Sequence, residues 1–147
     1  MTHQEILHPV VALAAWTMIM WIWMYVTRIP AMQKIPGLDP NAMVGGTGSD
    51  LDKAMAGSKV QWIAHNYNHL HEAPTVFYAV AIVLAMVGAG NGMNATIAWI
   101  YVFLRVAHSL LQVLWNRVIA RFAVFALSSF ALMALVLHAY LAVIHQG

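Results

Sequence analysis

Cysteine is absent from the 147 residues, which excludes a disulfide framework, thiolate metal ligands, haem attachment through a Cys-x-x-Cys-His motif and a cysteine nucleophile. Formal charge is nearly absent as well. Seven Lys or Arg and five Asp or Glu amount to 8% of the chain, where a soluble domain carries about a quarter. With 62% hydrophobic residues and a mean hydropathy of +0.71, a water-solvated globule is excluded and lipid is the natural solvent. The net charge of +2 is too small and too scattered for a nucleic-acid groove, although the sequence pI is near 9.2.

What the chain does have is apolar runs of membrane length. Glu5 and Arg28 bracket 22 uncharged residues, enough at about 1.5 Å per residue to cross a hydrocarbon core. The opening Met-Thr-His-Gln-Glu lacks the basic region of a secretory signal, so this run reads as a first span rather than a cleaved leader. Further spans are predicted at residues 60–88, 95–115 and 122–144, with the first at 6–27. Together they make the whole of 1–147 one all-α, four-span domain. Residues 28–59 are the long loop, holding Pro30, Pro36 and Pro40, the acids Asp39, Asp50 and Asp52, and a short helix capped by Ser49 and Asp52. The run Val44-Gly-Gly-Thr-Gly-Ser49 has no following Gly-Lys-Ser or Gly-Lys-Thr and reads as a hinge. Gly88-Ala-Gly-Asn-Gly92 marks a tight turn. No internal repeat is present. Arg28, Lys34, Lys53 and Lys59 fall in the first loop and Arg117 and Arg121 in the third, while the termini and second loop carry no Lys or Arg. The positive-inside rule then places loops one and three in the cytoplasm and both termini outside, in the periplasm if the membrane is a bacterial inner membrane.

An ionisable group at membrane depth is costly unless paired or hydrated, so Glu72 and Arg105 require a reason. Glu72 follows Lys59 by 13 residues and Arg105 precedes Arg117 by 12, which puts both roughly 18 to 20 Å from one membrane face. A buried Glu72–Arg105 ion pair is the prediction. His65, Asn68 or His69, and Glu72 share one helix face by their spacing, and so do Arg105, His108, Gln112 and Asn116. Two polar stripes at matching depth imply a cavity opening to the cytoplasmic side. Pro74 removes the usual partner of the Leu70 carbonyl, predicts a kink above Glu72 and offers that carbonyl to the site.

On these residues the sequence resembles the MAPEG family, membrane-associated proteins of eicosanoid and glutathione metabolism, in a bacterial-type form. The carriers are Asn68-His-Leu-His-Glu72-Ala-Pro74-Thr-Val-Phe77-Tyr78, then Arg105-Val-Ala-His108-Ser109, with Asn116, Arg117, Arg121 and Phe122 downstream. The resemblance implies a left-handed integral membrane four-helix bundle assembled as a homotrimer, with glutathione bound at subunit contacts from the cytoplasmic side. It implies a transferase or peroxidase acting on lipophilic electrophiles or lipid peroxides that arrive through membrane lipid. In that resemblance Arg121 is similar to the thiolate-stabilising arginine. Glu72, Arg105, His108 and Arg117 resemble ligand-holding groups, Arg28 resembles a carboxylate-binding arginine, and Asn68, His69 and Gln112 occupy neighbouring ligand positions. Ala64 and His65 stand where glutathione-using relatives carry arginine, so the implied pocket is less cationic; Asn68 stands four before Glu72 with His69 at the three-before position, and Gln112 stands where some relatives have a tyrosine.

The chemistry is consistent with those roles. A thiol of reference pKa about 8.5 is favoured as its anion by a cationic, partly desolvated pocket, and arginine keeps its charge while forking to carboxylates. Two other readings stay open. His65, His69 and Glu72, with His71 and His108 nearby, have spacing suited to a metal-dependent membrane oxidoreductase, although His3, His8, His138 and His145 belong to the opposite face. Small residues at Ala79, Ala81, Ala85, Gly88, Ser128 and Ser129 equally suit a noncatalytic packing subunit or lipid-binding module.

Overall fold

The computed structural model describes residues 4–37, 45 and 47–145, all of whose regular structure is helical. Six helices follow in order: α1 Leu7–Met32, α2 Gly48–Ala54, α3 Lys59–His69, α4 Ala73–Met86, α5 Met93–Leu114 and α6 Val118–Ile144. Four stretches are long and apolar enough to cross a membrane: α1, the Lys59–Met86 stretch made of α3 and α4, α5 and α6. The long apolar side chains left on the outside, among them Val11, Val26, Phe103, Ile119 and Phe130, form a surface far larger than water tolerates. Hydrocarbon accepts it, and the chain is an integral membrane protein.

Because lipid tails are as apolar as the helices, close packing rather than escape from water holds the bundle together. The α6 helix packs along α5 and α4, and α1 packs along α3, α4 and α5. Leu13, Met20, Phe77, Ala81, Leu84, Ala98 and Leu135 fill the middle. Phe77 of α4 stacks on Tyr101 of α5 with ring centres 4.6 Å apart, a contact whose orientation adds to its area.

The second span is not one kinked helix. It breaks: Leu70 closes α3, His71 and Glu72 form a turn, and Glu72 sits in front of α4 with φ −91° and ψ −101°. Pro74 then lies in the first turn of α4, where a missing N–H costs nothing. The break also changes which polar residues face inward. Gln61, Ile63, Ala64, Asn66 and Leu70 are buried, whereas His65 and Asn68 of the predicted stripe are exposed. Periodicity identifies a face but not the direction it looks, and the spacing of Ile63, Asn66 and Leu70 turns that side to α1 and α5.

The short helix of the first loop is present, but its cap differs from the sequence expectation. Thr47 stands at the N-cap and Asp50 answers it, the Thr47 amide and hydroxyl both donating to Asp50 Oδ2 at 2.9 and 2.7 Å. These bonds hold the Asp50 carboxyl below its ordinary range. Asp52 instead ties α2 to the second span, accepting from Gln61 and lying 3.3 Å from His65 Nε2. Asp39, Pro40, Val44 and Gly46 of the predicted loop and hinge, and His3, lie outside the described residues.

At the other end of the bundle the turn between α4 and α5 is sealed by the segment that leads into α1. The Ile6 amide donates to the Gly90 carbonyl (2.8 Å), the Gly90 amide to Gln4 Oε1 (3.1 Å), the Glu5 amide to Asn91 Oδ1 (2.9 Å) and the Gly92 amide to Glu5 Oε2 (3.2 Å). A Cβ on Gly90 would stand 2.6 Å from Ile6 Cγ2 and 3.2 Å from the Ala85 Cα. Gly90→Ala should therefore destabilise the protein by about 1–3 kcal/mol, the usual cost of overpacking. Chemical unfolding in detergent, with amide exchange followed at Ile6, checks this: an unchanged midpoint and a still-protected Ile6 amide would refute the seal.

Candidate functional site

The carbonyl released by the helix break is the starting point of the site. In an unbroken helix the His69 oxygen would be taken by the amide four residues on; here Arg105 of α5 donates to it from Nη2 at 2.8 Å. The sequence pointed to the neighbouring Leu70 carbonyl. The acceptor is His69 because α3 ends there: without the amide four residues on, its carbonyl takes only a long bond of 3.4 Å from the Glu72 amide in the turn and stays open to Arg105. Arg105 is only 2% exposed, and its Nε and Nη1 have no protein partner.

The predicted Glu72–Arg105 ion pair does not form. Glu72 Oε2 is 2.8 Å from His69 Nδ1, with the Glu72 side chain 63% exposed. Among the described residues the only ion pairs are His65 with Asp52 and His69 with Glu72. The two residues nevertheless border one cavity. Contact fails because the turn before α4 swings the carboxylate outward while the His69 carbonyl captures the guanidinium.

The cavity has a volume of about 260 Å³ and is lined by His69, Glu72, Arg105, His108, Val118, Arg121, Phe122 and Phe125. The His69 and His108 rings meet edge to face with centres 6.2 Å apart. The Arg105 guanidinium carbon lies 5.9 Å from the Phe125 ring centre, within the range of a cation–π contact. Arg121 is steered by the turn between α5 and α6. Asn116, at a φ of +50°, accepts a hydrogen bond from Arg121 Nη1, and Arg121 Nε has no protein partner. Two guanidiniums against one outward-turned carboxylate leave the cavity with an excess of positive charge, and Val118, Phe122 and Phe125 keep its local dielectric low. Uncommitted N–H donors in such a place attract an anion strongly.

Of the site residues expected from sequence, His69, Glu72, Arg105, His108 and Arg121 come together around this cavity. Arg28, Asn68, Gln112 and Arg117 do not border it. Gln112 is buried at 1% exposure beside the cavity's helix face, Arg28 is half-buried, Asn68 is exposed, and Arg117 is exposed and lies against Trp115. Phe125 and Val118 were missed, although both lie on the α6 face of Arg121 by three- and four-residue spacing. Asn66, 0% exposed with both side-chain polar atoms unpartnered, was passed over for Asn68. Among the described residues no group of three His, Asp or Glu side chains is arranged to hold a metal ion. His65 turns to Asp52, His69 to Glu72, and His71 to the Tyr67 carbonyl.

The absent ion pair has an energetic consequence. In a double-mutant cycle of Glu72→Gln and Arg105→Gln, the coupling should fall below about 1 kcal/mol, as for exposed charges. Breaking a contacting buried pair costs about 3–5 kcal/mol. Unfolding of the four proteins in one detergent measures it, and a coupling in the higher range would restore the direct pair.

The sequence model of the MAPEG family matches residues 6–141. Neither a curated protein nor a solved structure matches the chain.

Proposed function

The chain belongs to the MAPEG family, and from that premise we propose that it is a glutathione-dependent transferase or peroxidase acting on lipophilic electrophiles or lipid peroxides. The observation that carries this reading is the cationic cavity at membrane depth, where Arg105 and Arg121 keep buried N–H donors free of protein acceptors. Glutathione supplies a thiol as nucleophile or reductant, two carboxylates and an ammonium. Arg121, oriented by Asn116, holds the negative charge of the sulfur, while His108 and Arg105 receive a carboxylate. Glu72, with its carboxylate turned outward, accepts the ammonium.

The second substrate has a route. A groove of about 480 Å³ runs between α4 and α6, lined by Val76, Ser129, Leu132, Met133, Val136, Leu137 and Tyr140. Its α6 residues continue the helix face of Phe125 at three- to four-residue spacing. From Phe125 to Tyr140 that face extends about 22 Å, enough to guide an extended apolar molecule from the bilayer toward Arg121.

A homotrimer with its sites between subunits is part of this proposal. Asn68, His71 and Glu72 are exposed on the membrane-spanning second stretch, and polar groups in hydrocarbon are costly. A neighbouring copy laid against this face removes that cost, and Arg28 and Asn68, which do not border their own cavity, then complete the neighbour's. Charge distribution supports a cytoplasmic opening with the termini on the other side.

Arg121→Leu should lower turnover about a hundredfold or more, the scale of losing one charge-stabilising donor, with little change in unfolding midpoint. Assays of thiol conjugation and peroxide reduction beside thermal unfolding check this, and a parallel loss of folding and activity would contradict the role. Calorimetric titration of glutathione into the purified protein tests the ligand itself. Absence of heat at millimolar concentration would favour a noncatalytic module of the same fold.

A further inference from the structure

Six of the seven basic side chains, Arg28, Lys34, Lys53, Lys59, Arg117 and Arg121, lie in the end turns of the spans or in the segments that connect them on one side of the bundle. Two of them lie over indole rings there. Lys59 Nζ is 5.9 Å from the Trp62 ring centre and the Arg117 guanidinium carbon is 5.5 Å from that of Trp115. The second pair stands in a distinctive place, since Trp115, Asn116 and Arg117 are the only residues between the third and fourth spans. Arg117 is exposed, faces no carboxylate within ion-pair distance among the described residues, and does not border the cavity. Around it Trp115, Val118, Ile119 and Phe122 are 58%, 70%, 82% and 67% exposed. A cation at the membrane boundary with apolar shoulders matches a molecule having an anionic head and hydrocarbon tails. A free phosphate would use the arginine and leave the shoulders bare.

We propose that the turn between α5 and α6 is a headgroup site for an anionic phospholipid, its phosphate received by Arg117 and its acyl chains lying on Ile119 and Phe122. Trp115 stacks against the guanidinium and fixes its position at the interface. Phe122 also borders the cavity, so the bound lipid stands at the cavity rim, next to Arg121. The site does not depend on whether the cavity takes glutathione.

The test uses the full-length protein reconstituted in equal parts of phosphatidylcholine and phosphatidylglycerol, then extracted into mild detergent for native mass spectrometry of retained lipid. Arg117→Gln should lower retained phosphatidylglycerol about fivefold, the share of one basic residue near an anionic surface, and Trp115→Leu about two- to fivefold. Lys34→Gln removes the same charge from an exposed position at the same end and should change retention by far less. Equal loss in Arg117→Gln and Lys34→Gln would reduce the effect to the general surface field and overturn the site. So would unchanged retention in Arg117→Gln, or displacement of the lipid by soluble glycerol phosphate. With no native cysteine, Ile119→Cys gives a clean accessibility probe. Its labelling by a water-soluble maleimide should be slowed by added phosphatidylglycerol. Protection that persists in lipid-free detergent would mean that a second copy of the chain covers the turn, and would also overturn the proposal.

Discussion

A guanidinium buried in an apolar bundle has to be given oxygen acceptors, and the position of Arg105 governs the middle of this protein. A continuous helix offers no free carbonyl, because each is consumed four residues later. The second span therefore stops at Leu70 and restarts at Ala73, and the freed His69 oxygen takes one arm of Arg105. The same break turns Glu72 outward, puts the His69 ring against Glu72 and opens the cavity bounded by α5 and α6. Pro74 is compatible with the break because it falls at the start of the second piece. Remaining donors on Arg105 and Arg121 stay without protein acceptors beside that cavity.

The two ends of the bundle solve different problems. At the end bearing the N-terminal segment, backbone amides and carbonyls of a glycine turn are paired with Gln4, Glu5 and Ile6, so the turn is closed without a side chain at Gly90. At the basic end, the chain reverses in three residues, and Asn116 uses a left-handed conformation to reach Arg121. One end is a seal, and the other carries six of the seven basic side chains. Between them, α6 presents one face that is cationic and aromatic near Arg121 and mostly apolar toward Tyr140, so a polar ligand and a lipophilic one can approach the same helix from different directions.

Much of the site was legible before any coordinates. Depth arithmetic brought Glu72 and Arg105 to one level, helical spacing added His69 and His108, and Arg121 entered through the resemblance to the MAPEG family. The failures share a cause. The Glu72–Arg105 contact, the inward face of α3 and the cap of α2 each depend on where a backbone stops or rotates, not on which residues recur. Asn68 looked like a site residue because it shares a stripe with Glu72, while Asn66, one position before Tyr67, is the one enclosed by Ile63 and Leu70 packing inward. Ser49 and Asp52 looked like caps because of their type. Thr47 holds the cap because its backbone is extended just where α2 begins, which leaves Asp52 free to reach Gln61 and His65.

The amino-acid sequence by itself determined that the chain lies in a membrane, that it crosses four times, which end is basic, and which titratable side chains have to be accounted for at depth. These follow from transfer of each residue between water and hydrocarbon, a property of composition and order alone. Only the tertiary structure decided which carbonyl holds Arg105, which way Glu72 faces, and that Arg117 stands outside the cavity beside exposed apolar surface. Those outcomes turn on competition among acceptors a few ångströms apart, and an interaction that vanishes beyond about 3.5 Å cannot be resolved by a spacing rule accurate to a helical turn.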